Sequence, residues 1–208
     1  MSWAQTAAIP LENEHVLVRP IEPGDRDGLL KIALAPEIWR YFVTRVSTPE
    51  DFDVFFDAML EDHAAGRRVV FLVSDKSGRG PAGSMSYGNL AERDGRLEIG
   101  WSWLGTGFHG AGINRWAKYL LLGNAFERLG AQRVEFKTDQ LNVQARAGLR
   151  NIGAVEEGTL RSFNPMPDGR RRDAVYYSVL RDEWPWVKEQ LERHPKVVRD
   201  DRGTGSAA

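Results

Sequence analysis

The stretch Gly105 to Gly112 (GTGFHGAG) runs directly into a long apolar-striped segment, and that junction limits the possible folds more than any other feature of the chain. Over Ile113–Leu129 the residues Ile113, Trp116, Ala117, Leu120, Leu122, Ala125, Phe126 and Leu129 recur at helical spacing, which predicts an amphipathic helix stopped by Gly130. Alternating residues before the loop (Leu97–Leu104) and the short segment QRVEFKT after the helix (Gln132–Thr138) read as strands. The unit is therefore strand, glycine loop, helix, strand. Such a crossover joins two parallel strands, and the sequence holds one of them.

The rest of the chain reads differently. His15–Ile21 alternates apolar and polar residues as a first strand, closed by Pro23-Gly24. Helical spacing follows over Asp25–Ala35, and again from Thr48-Pro49-Glu50 to Gly66, where a cap residue precedes a first-turn proline. Arg68–Ser74, Ala82–Leu90 and Leu97–Leu104 then form a predicted antiparallel meander with turns at Gly78–Pro81 and Arg93–Gly95. Past the crossover, Asn142 caps a helix running to Gly153. The strands Ala154–Ser162 and Ala174–Leu180 flank a turn at Pro165–Gly169, and a last helix begins near Asp182. Without repeat or linker, the expectation is one domain over 11–194 and a disordered tail over 195–208.

Composition removes several functions. A net charge of −1 over 208 residues supplies no field to hold nucleic acid or an anionic membrane surface. With Cys 0, disulfides, thiolate metal sites and a cysteine nucleophile are excluded, and a reducing cytoplasm is the expected location. The histidines (His15, His63, His109, His194) form no i,i+4 pair, so no metal is expected. The opening MSWAQTAAIPLENE lacks a positive start and a long apolar run, which predicts no signal peptide, and nowhere do about 18 apolar residues follow one another.

A loop poor in side chains at the head of a helix exposes backbone N–H groups and the positive end of the helix dipole, a combination suited to a diphosphate. Gly110 and Gly112 let the backbone approach phosphate oxygens. Two ligands compete. Gly105-Thr-Gly-Phe-His-Gly110 also matches the G-x-G-x-x-G dinucleotide fingerprint, with Asp139 ending the next strand. A nicotinamide-binding oxidoreductase, however, requires a continuously apolar buried strand before the loop and a second nucleotide-binding half. Here Leu97, Ile99, Trp101 and Trp103 alternate with polar or small residues, and no second half exists.

These segments, in their order and spacing, resemble the GNAT N-acetyltransferases, and among them the RimJ/RimL-like ribosomal-protein N-terminal acetyltransferases. The likeness runs from about Leu11 to Leu191. It is carried by Leu97–Gly100 (LEIG), Gly112–Lys118 (GINRWAK), Ala125–Gly130 (AFERLG), Arg133–Asp139 (RVEFKTD), Asn142, Glu157–Arg161 (EGTLR), Arg172-Asp173 and Glu183–Pro185. The resemblance implies an α/β (α+β) fold with a mixed, mostly antiparallel seven-stranded sheet flanked by helices. It also implies a splay between the Leu97–Leu104 and Gln132–Thr138 strands. Acetyl-CoA would enter there, its pantetheine against Trp103 and Leu104 and its diphosphate on the loop and helix start: Phe108, His109, Gly110, Ala111, Gly112, Ile113 and Asn114. The chain departs from the pattern at Gly107 (usually Gln or Arg), at Trp116 (often Glu), and at Ala145, where N-x-x-S would supply a serine to protonate the leaving thiolate.

Implied chemistry is direct attack of an amine on the thioester, the amine being a protein N-terminus or a small molecule. Glu98 is the candidate carboxylate for taking the amine proton, against a solvent-facing position on a half-exposed strand. Asn142 is a candidate to hold water or the pantetheine amide beside its capping role. Of Tyr176 and Tyr177, on opposite faces of a late strand, Tyr177 is the catalytic candidate. Tyr41 and Phe42, in a loop overhanging the splay, are the candidate acceptor contacts. The run Arg170-Arg171-Arg172 reads most simply as a solvated turn, with recognition of an acidic substrate as the alternative. A non-catalytic acyl-CoA-binding protein is the alternative, and a monomer or homodimer is expected.

Overall fold

One strand pairing that runs against the sense of all its neighbours organises the molecule. In chain order the elements are α1 (Trp3–Ala7), β1 (Leu11–Glu12), β2 (Val16–Pro20), α2 (Arg26–Ala33), α3 (Pro36–Trp39), α4 (Pro49–Ala64), β3 (Val69–Asp75), β4 (Gly80–Ala91) and β5 (Arg96–Leu104). They continue as α5 (Ile113–Gly123), β6 (Arg133–Asp139), α6 (Val143–Asn151), β7 (Val155–Pro165), β8 (Arg171–Leu180) and α7 (Trp184–Arg193). The strands form a single sheet in the order β1-β2-β3-β4-β5-β6-β8-β7. Every neighbouring pair is antiparallel except β5 and β6, which the α5 crossover makes parallel. The structure is a computed structural model describing residues 2–193. The expected domain end at 194 and the tail 195–208 lie outside the described residues.

The sheet has eight strands rather than the expected seven. The addition is β1, which pairs only Leu11 with Val18 and Glu12 with Leu17, too short to leave a periodic pattern in sequence. Helices α1 and α3, each about one turn long, are absent from the sequence expectation for the same reason.

Alternation along β3 shows how the core divides. Val69, Phe71 and Val73 join a cluster with α5, α6 and α7, while Val70 and Leu72 join a second cluster with α2, α3 and α4 on the opposite face. Fully burying each Phe or Leu contributes about 1.5–3 kcal/mol, so both faces anchor their helices firmly. The start of α4 is fixed as its sequence demands: Thr48 Oγ1 accepts from the Asp51 amide and the Asp51 carboxylate accepts from the Thr48 amide, both at 3.1 Å.

Strand β5 does not keep one alternation. Its pairing with β4 steps from Ser86↔Gly100 to Ser84↔Trp103, leaving an extra residue on β5, and Trp101 takes a left-handed φ of 49°. The bulge reverses facing. Leu97 and Ile99 lie in the α5 cluster, but Trp103 lies in the opposite one, against Trp39. The sequence reading that put Leu97 and Trp103 on one face is corrected by that inserted residue.

The long helix also departs from its expected uniform course. After α5 the turn widens to π geometry over Asn124–Arg128 before Gly130 ends it. Buried Tyr87 braces the junction: its hydroxyl donates to the Leu121 carbonyl and accepts from Asn124 Nδ2 at 3.3 Å. Tyr87→Phe should therefore cost about 1–2 kcal/mol, read as a lower urea midpoint with unchanged m value.

Candidate functional site

The parallel pairing of β5 with β6 spans Arg96↔Arg133, Leu97↔Val134 and Glu98↔Glu135 and goes no further, although β5 continues to Leu104 and β6 to Asp139. Beyond that last rung β5 remains paired with β4 and β6 with β8, so the two strands part inside the sheet. The bulge at Trp101 begins just past the last shared rung and turns β5 away. A parted strand leaves an edge of backbone donors and acceptors that an extended, amide-bearing molecule can use as a further strand.

The glycine loop lies at the open end of this wedge. Gly110 and Gly112 take φ of 77° and 79°, conformations that side-chain-bearing residues rarely adopt. The first bond of the α5 helix is from the Trp116 amide to the Gly112 carbonyl at 3.0 Å, and among the described residues no acceptor meets the amides from Gly110 to Arg115. The loop is held from behind. Arg79, paired to Asp75, donates to the Gly107 carbonyl at 3.0 Å and lies over the Phe108 ring at 4.6 Å. Bare amides at a helix start fit a diphosphate, and the parted edge fits an extended, amide-bearing arm, so the frame suits a ligand that carries both.

The predicted residues occupy distinct parts of this frame. Phe108 and Ile113 put their side chains in the core, leaving only backbone toward the wedge, while Ala111 is exposed. His109 is exposed but its Nε2 lies 3.2 Å from the Leu104 carbonyl, tying the loop to the end of β5. Asn114 is half-buried, its Nδ2 3.8 Å from where a Cβ at Gly148 of α6 would stand, so α5 and α6 approach each other there. Trp103 is buried, and its Nε1 meets no partner among the described residues. Asn142 Oδ1 accepts from the Ala145 amide at 2.9 Å, the capping role its sequence position predicts.

Glu98 is not solvent-facing. It is 3% exposed, at the last shared rung, with Oε2 accepting from Asn89 Nδ2 at 2.7 Å and lying 3.5 Å from Lys137 Nζ. Tyr177 and Tyr176 do lie on opposite faces. The Tyr177 hydroxyl, on the α5 face, donates to Glu156 Oε2 at 2.6 Å and accepts from Arg146 at 3.3 Å; burial and then that glutamate push its pKa up. Tyr176 shares the other face with Lys137 and Phe163, and burial followed by the charges of Glu98 and Glu135 raises its pKa.

The arginine run is not a solvated turn. Arg170 donates to buried Asp139 and to Asp168, Arg171 bonds Ser162, and Arg172 is 8% exposed with its Nε unpartnered among the described residues. The antiparallel β7–β8 hairpin explains this, because it returns Arg172 onto the sheet face beside Glu98. Near the tip of that hairpin, Met166, Pro167 and Asp168 close a cavity of about 490 Å³ against the segment from Pro36 to Ser47. Phe42 lines it with Trp39 and Arg40, and Tyr41 does not, lying instead under the Arg40 guanidinium at 5.5 Å. Trp39 links the cavity to the wedge, its ring 5.5 Å from that of Trp103.

Residues 15–155 match the acetyltransferase (GNAT) domain family. The chain belongs to the GNAT acetyltransferases. This acetyltransferase is 31% identical over 184 residues to the "Putative ribosomal N-acetyltransferase YdaF" of Bacillus subtilis (strain 168), a match covering 85% of this chain and 97% of that protein. It thus falls in the RimJ/RimL-like branch. A solved "putative acetyltransferase" from T. thermophilus superposes with a TM-score of 0.80 at 35% identity, covering 89% of this chain and 96% of that one. A GCN5-related N-acetyltransferase from Brucella melitensis shares the fold with a TM-score of 0.82 at 22% identity, over 89% and 85% of the two chains. Among the described residues no helix is long and apolar enough to cross a membrane, and no group of three or more His, Asp or Glu could hold a metal ion.

One residue of the acetyltransferase escaped the sequence reading. Lys118 lies on α5 four residues after Asn114, 7% exposed, with its Nζ 5.7 Å from the centre of the Phe136 ring. No carboxylate or hydrogen-bond acceptor meets it among the described residues. Burial lowers its pKa from the ordinary 10.5 to about 8. The signal was present in the sequence as a charge embedded among Ala117, Leu121 and Leu122 on a core-facing stripe.

At pH 7 the lysine is protonated folded or unfolded, and the fold bears the whole cost of burying the charge. Between about 8 and 10.5 the unfolded chain holds the extra proton, so the stability contribution rises with pH across that window. Lys118→Met should accordingly raise Tm at pH 7, with the gap to wild type narrowing toward about pH 10. Calorimetric scans of both proteins across that range check it.

Proposed function

We propose that this acetyltransferase transfers the acetyl group of acetyl-CoA to a primary amine by direct attack in a ternary complex, and that the amine is a protein N-terminus. The observation carrying this reading is the conjunction of a parted β5 edge with open amides from Gly110 to Arg115 at its mouth. Acetyl-CoA, when bound, supplies a thioester carbonyl that a neutral amine can attack. The chain's residues supply the rest. The loop amides hold the diphosphate, and the β5 edge near Trp103 and Leu104 aligns the arm with the last shared rung.

Glu98 lies at that rung on the face that also carries Tyr176 and Arg172, and it takes the amine's proton through water. The demand on it is small. An α-amino group with a pKa near 7.7–8.0 costs only about 1 kcal/mol to deprotonate at pH 7, whereas a lysine near 10.4 costs roughly 4–5. A carboxylate already bound to Lys137 and Asn89 suits the first acceptor better than the second. The cavity between Phe42 and Met166 takes the chain that follows the amine; its mixture of Trp39, Phe42, Arg40, Arg45, Glu37 and Asp168 offers both apolar and charged contacts. The YdaF relationship favours a ribosomal protein as the bearer of that N-terminus, and a cytoplasmic setting goes with it.

Ala145, where a hydroxyl would serve the leaving group, favours a second reading, a protein that binds acyl-CoA without turning it over. Thiol release against N-terminal peptides and small amines separates the two, since the binding protein releases none. Ala111→Asp sets a carboxylate among the loop amides without needing a left-handed backbone. Charge repulsion of about 1–4 kcal/mol predicts at least roughly tenfold weaker coenzyme A binding at unchanged Tm, measured by titration calorimetry. Unaltered affinity would remove the diphosphate from this loop. Glu98→Gln should lower kcat about a hundredfold with little change in KM for acetyl-CoA, measured by steady-state thiol release.

A further inference from the structure

The acetyl-transfer reading leaves one chemical need unmet by Ala145: a proton for the sulfur that departs. We propose that Lys118 fills it, its ammonium meeting the coenzyme sulfur at the closed end of the wedge and protonating it as the thioester breaks. The proposal rests on the acetyl-CoA reading above and adds a residue to it.

Placement carries the argument. Glu98↔Glu135 is the last shared rung, and Phe136 is the first β6 residue beyond it, where the strands begin to part. Lys118 Nζ stands over the face of Phe136. Asn114, one turn earlier on the same side of α5, lies among the open amides at the other end. At 1.5 Å per residue, Lys118 is about 7.5 Å further along the helix than Ile113. A coenzyme with its diphosphate on the loop and its arm along β5 brings its sulfur toward that last rung, where Lys118 waits.

The lysine's surroundings leave it for this use. The α5 face meets apolar Leu97 and Ile99 from β5, Val134 and Phe136 from β6, and Val16 and Val18 from β2. The titratable group that β8 brings to this face is Tyr177, committed to Glu156 with Arg146 and Arg150 behind it. On α5 itself Arg115 donates to the Leu191 carbonyl, and Tyr119 to Glu192 of α7; His15 stacks on Trp116. A buried ammonium lacking an anion gains most from one that forms beside it. With its pKa lowered to about 8, the ammonium is a stronger acid than an ordinary alkyl thiol, so the proton passes downhill to the thiolate.

The step balances. The amine nitrogen bonds to the acetyl carbon, the carbon–sulfur bond breaks with its electron pair going to sulfur, and a Lys118 proton converts that thiolate to free thiol. The proton lost by the amine leaves through Glu98 and water, and Lys118 is reprotonated from solvent.

Since the chain has Cys 0, the thiol of added coenzyme A is the only thiol in solution. Unacetylated coenzyme A is bound to wild type, Lys118→Met and Lys118→Gln, and thiolate ultraviolet absorbance is followed from about pH 7 to 11, a range that takes in ionisation of an alkyl thiol. In wild type the bound thiol should ionise about one pH unit lower than in either variant. Both variants should bind coenzyme A within about threefold of wild type yet lose about a hundredfold in kcat, along with the alkaline fall near pH 8. Equal thiol ionisation in the three proteins, or kcat retained within about threefold, would overturn the assignment. A wild type that binds coenzyme A and releases no thiol with any amine would instead sink the acetyl-transfer reading, and the proposal with it.

Discussion

The short parallel contact between β5 and β6 is the constraint on which the rest depends. Three rungs are enough to join the two halves of the sheet, and their ending leaves an open edge between them. Had the pairing run the length of both strands, the loop amides would face a closed surface. The bulge at Trp101 supplies the divergence locally. It inserts one residue, sends Trp103 to the opposite core, and releases the β5 edge. Gly88 allows it, because a Cβ there would collide with the Trp101 ring.

Several charged groups near the wedge are held rather than solvated. Glu98, Asp139 and Arg172 are all nearly buried, and the β7–β8 hairpin brings the arginine back onto the carboxylate face. Across the sheet, Glu156 has its pKa lowered by the Tyr177 hydroxyl first and by Arg146 and Arg150 behind it, which fixes α6 to β7. Polar groups so confined keep their geometry while a ligand comes and goes. Lys118 is different. No described residue neutralises it, and a protein seldom keeps a naked buried charge without using it.

Much of this was legible in the sequence because it is local. The glycine loop, the stripe from Ile113, the Thr48-Pro49 cap and the Asn142 cap each lie within a few residues of what they determine. The crossover followed from the order of the segments, and the splay between named strands from the family resemblance. What escaped depends on distant partners or on broken periodicity. Two residues of β1 leave no pattern. The facing of Trp103 depends on a bulge that alternation cannot express, and the fate of Arg170 to Arg172 on Asp139, Asp168 and Ser162. The cavity near the hairpin tip joins Trp39 and Phe42 to Met166 across most of the chain, with no motif to announce the meeting.

The two hydrophobic clusters, set on opposite faces of the sheet, divide responsibilities between halves of the molecule. One supports α5 and its glycine loop; the other seats α3 and α4 and, through Trp39, the approach from the far side. If the cavity beside α3 receives the acceptor as proposed, drift in that short segment changes which recipient is welcomed while the loop on the other face stays intact. A lineage built on this plan would then acquire new clients by rewriting a handful of positions around Phe42, without rebuilding its machinery.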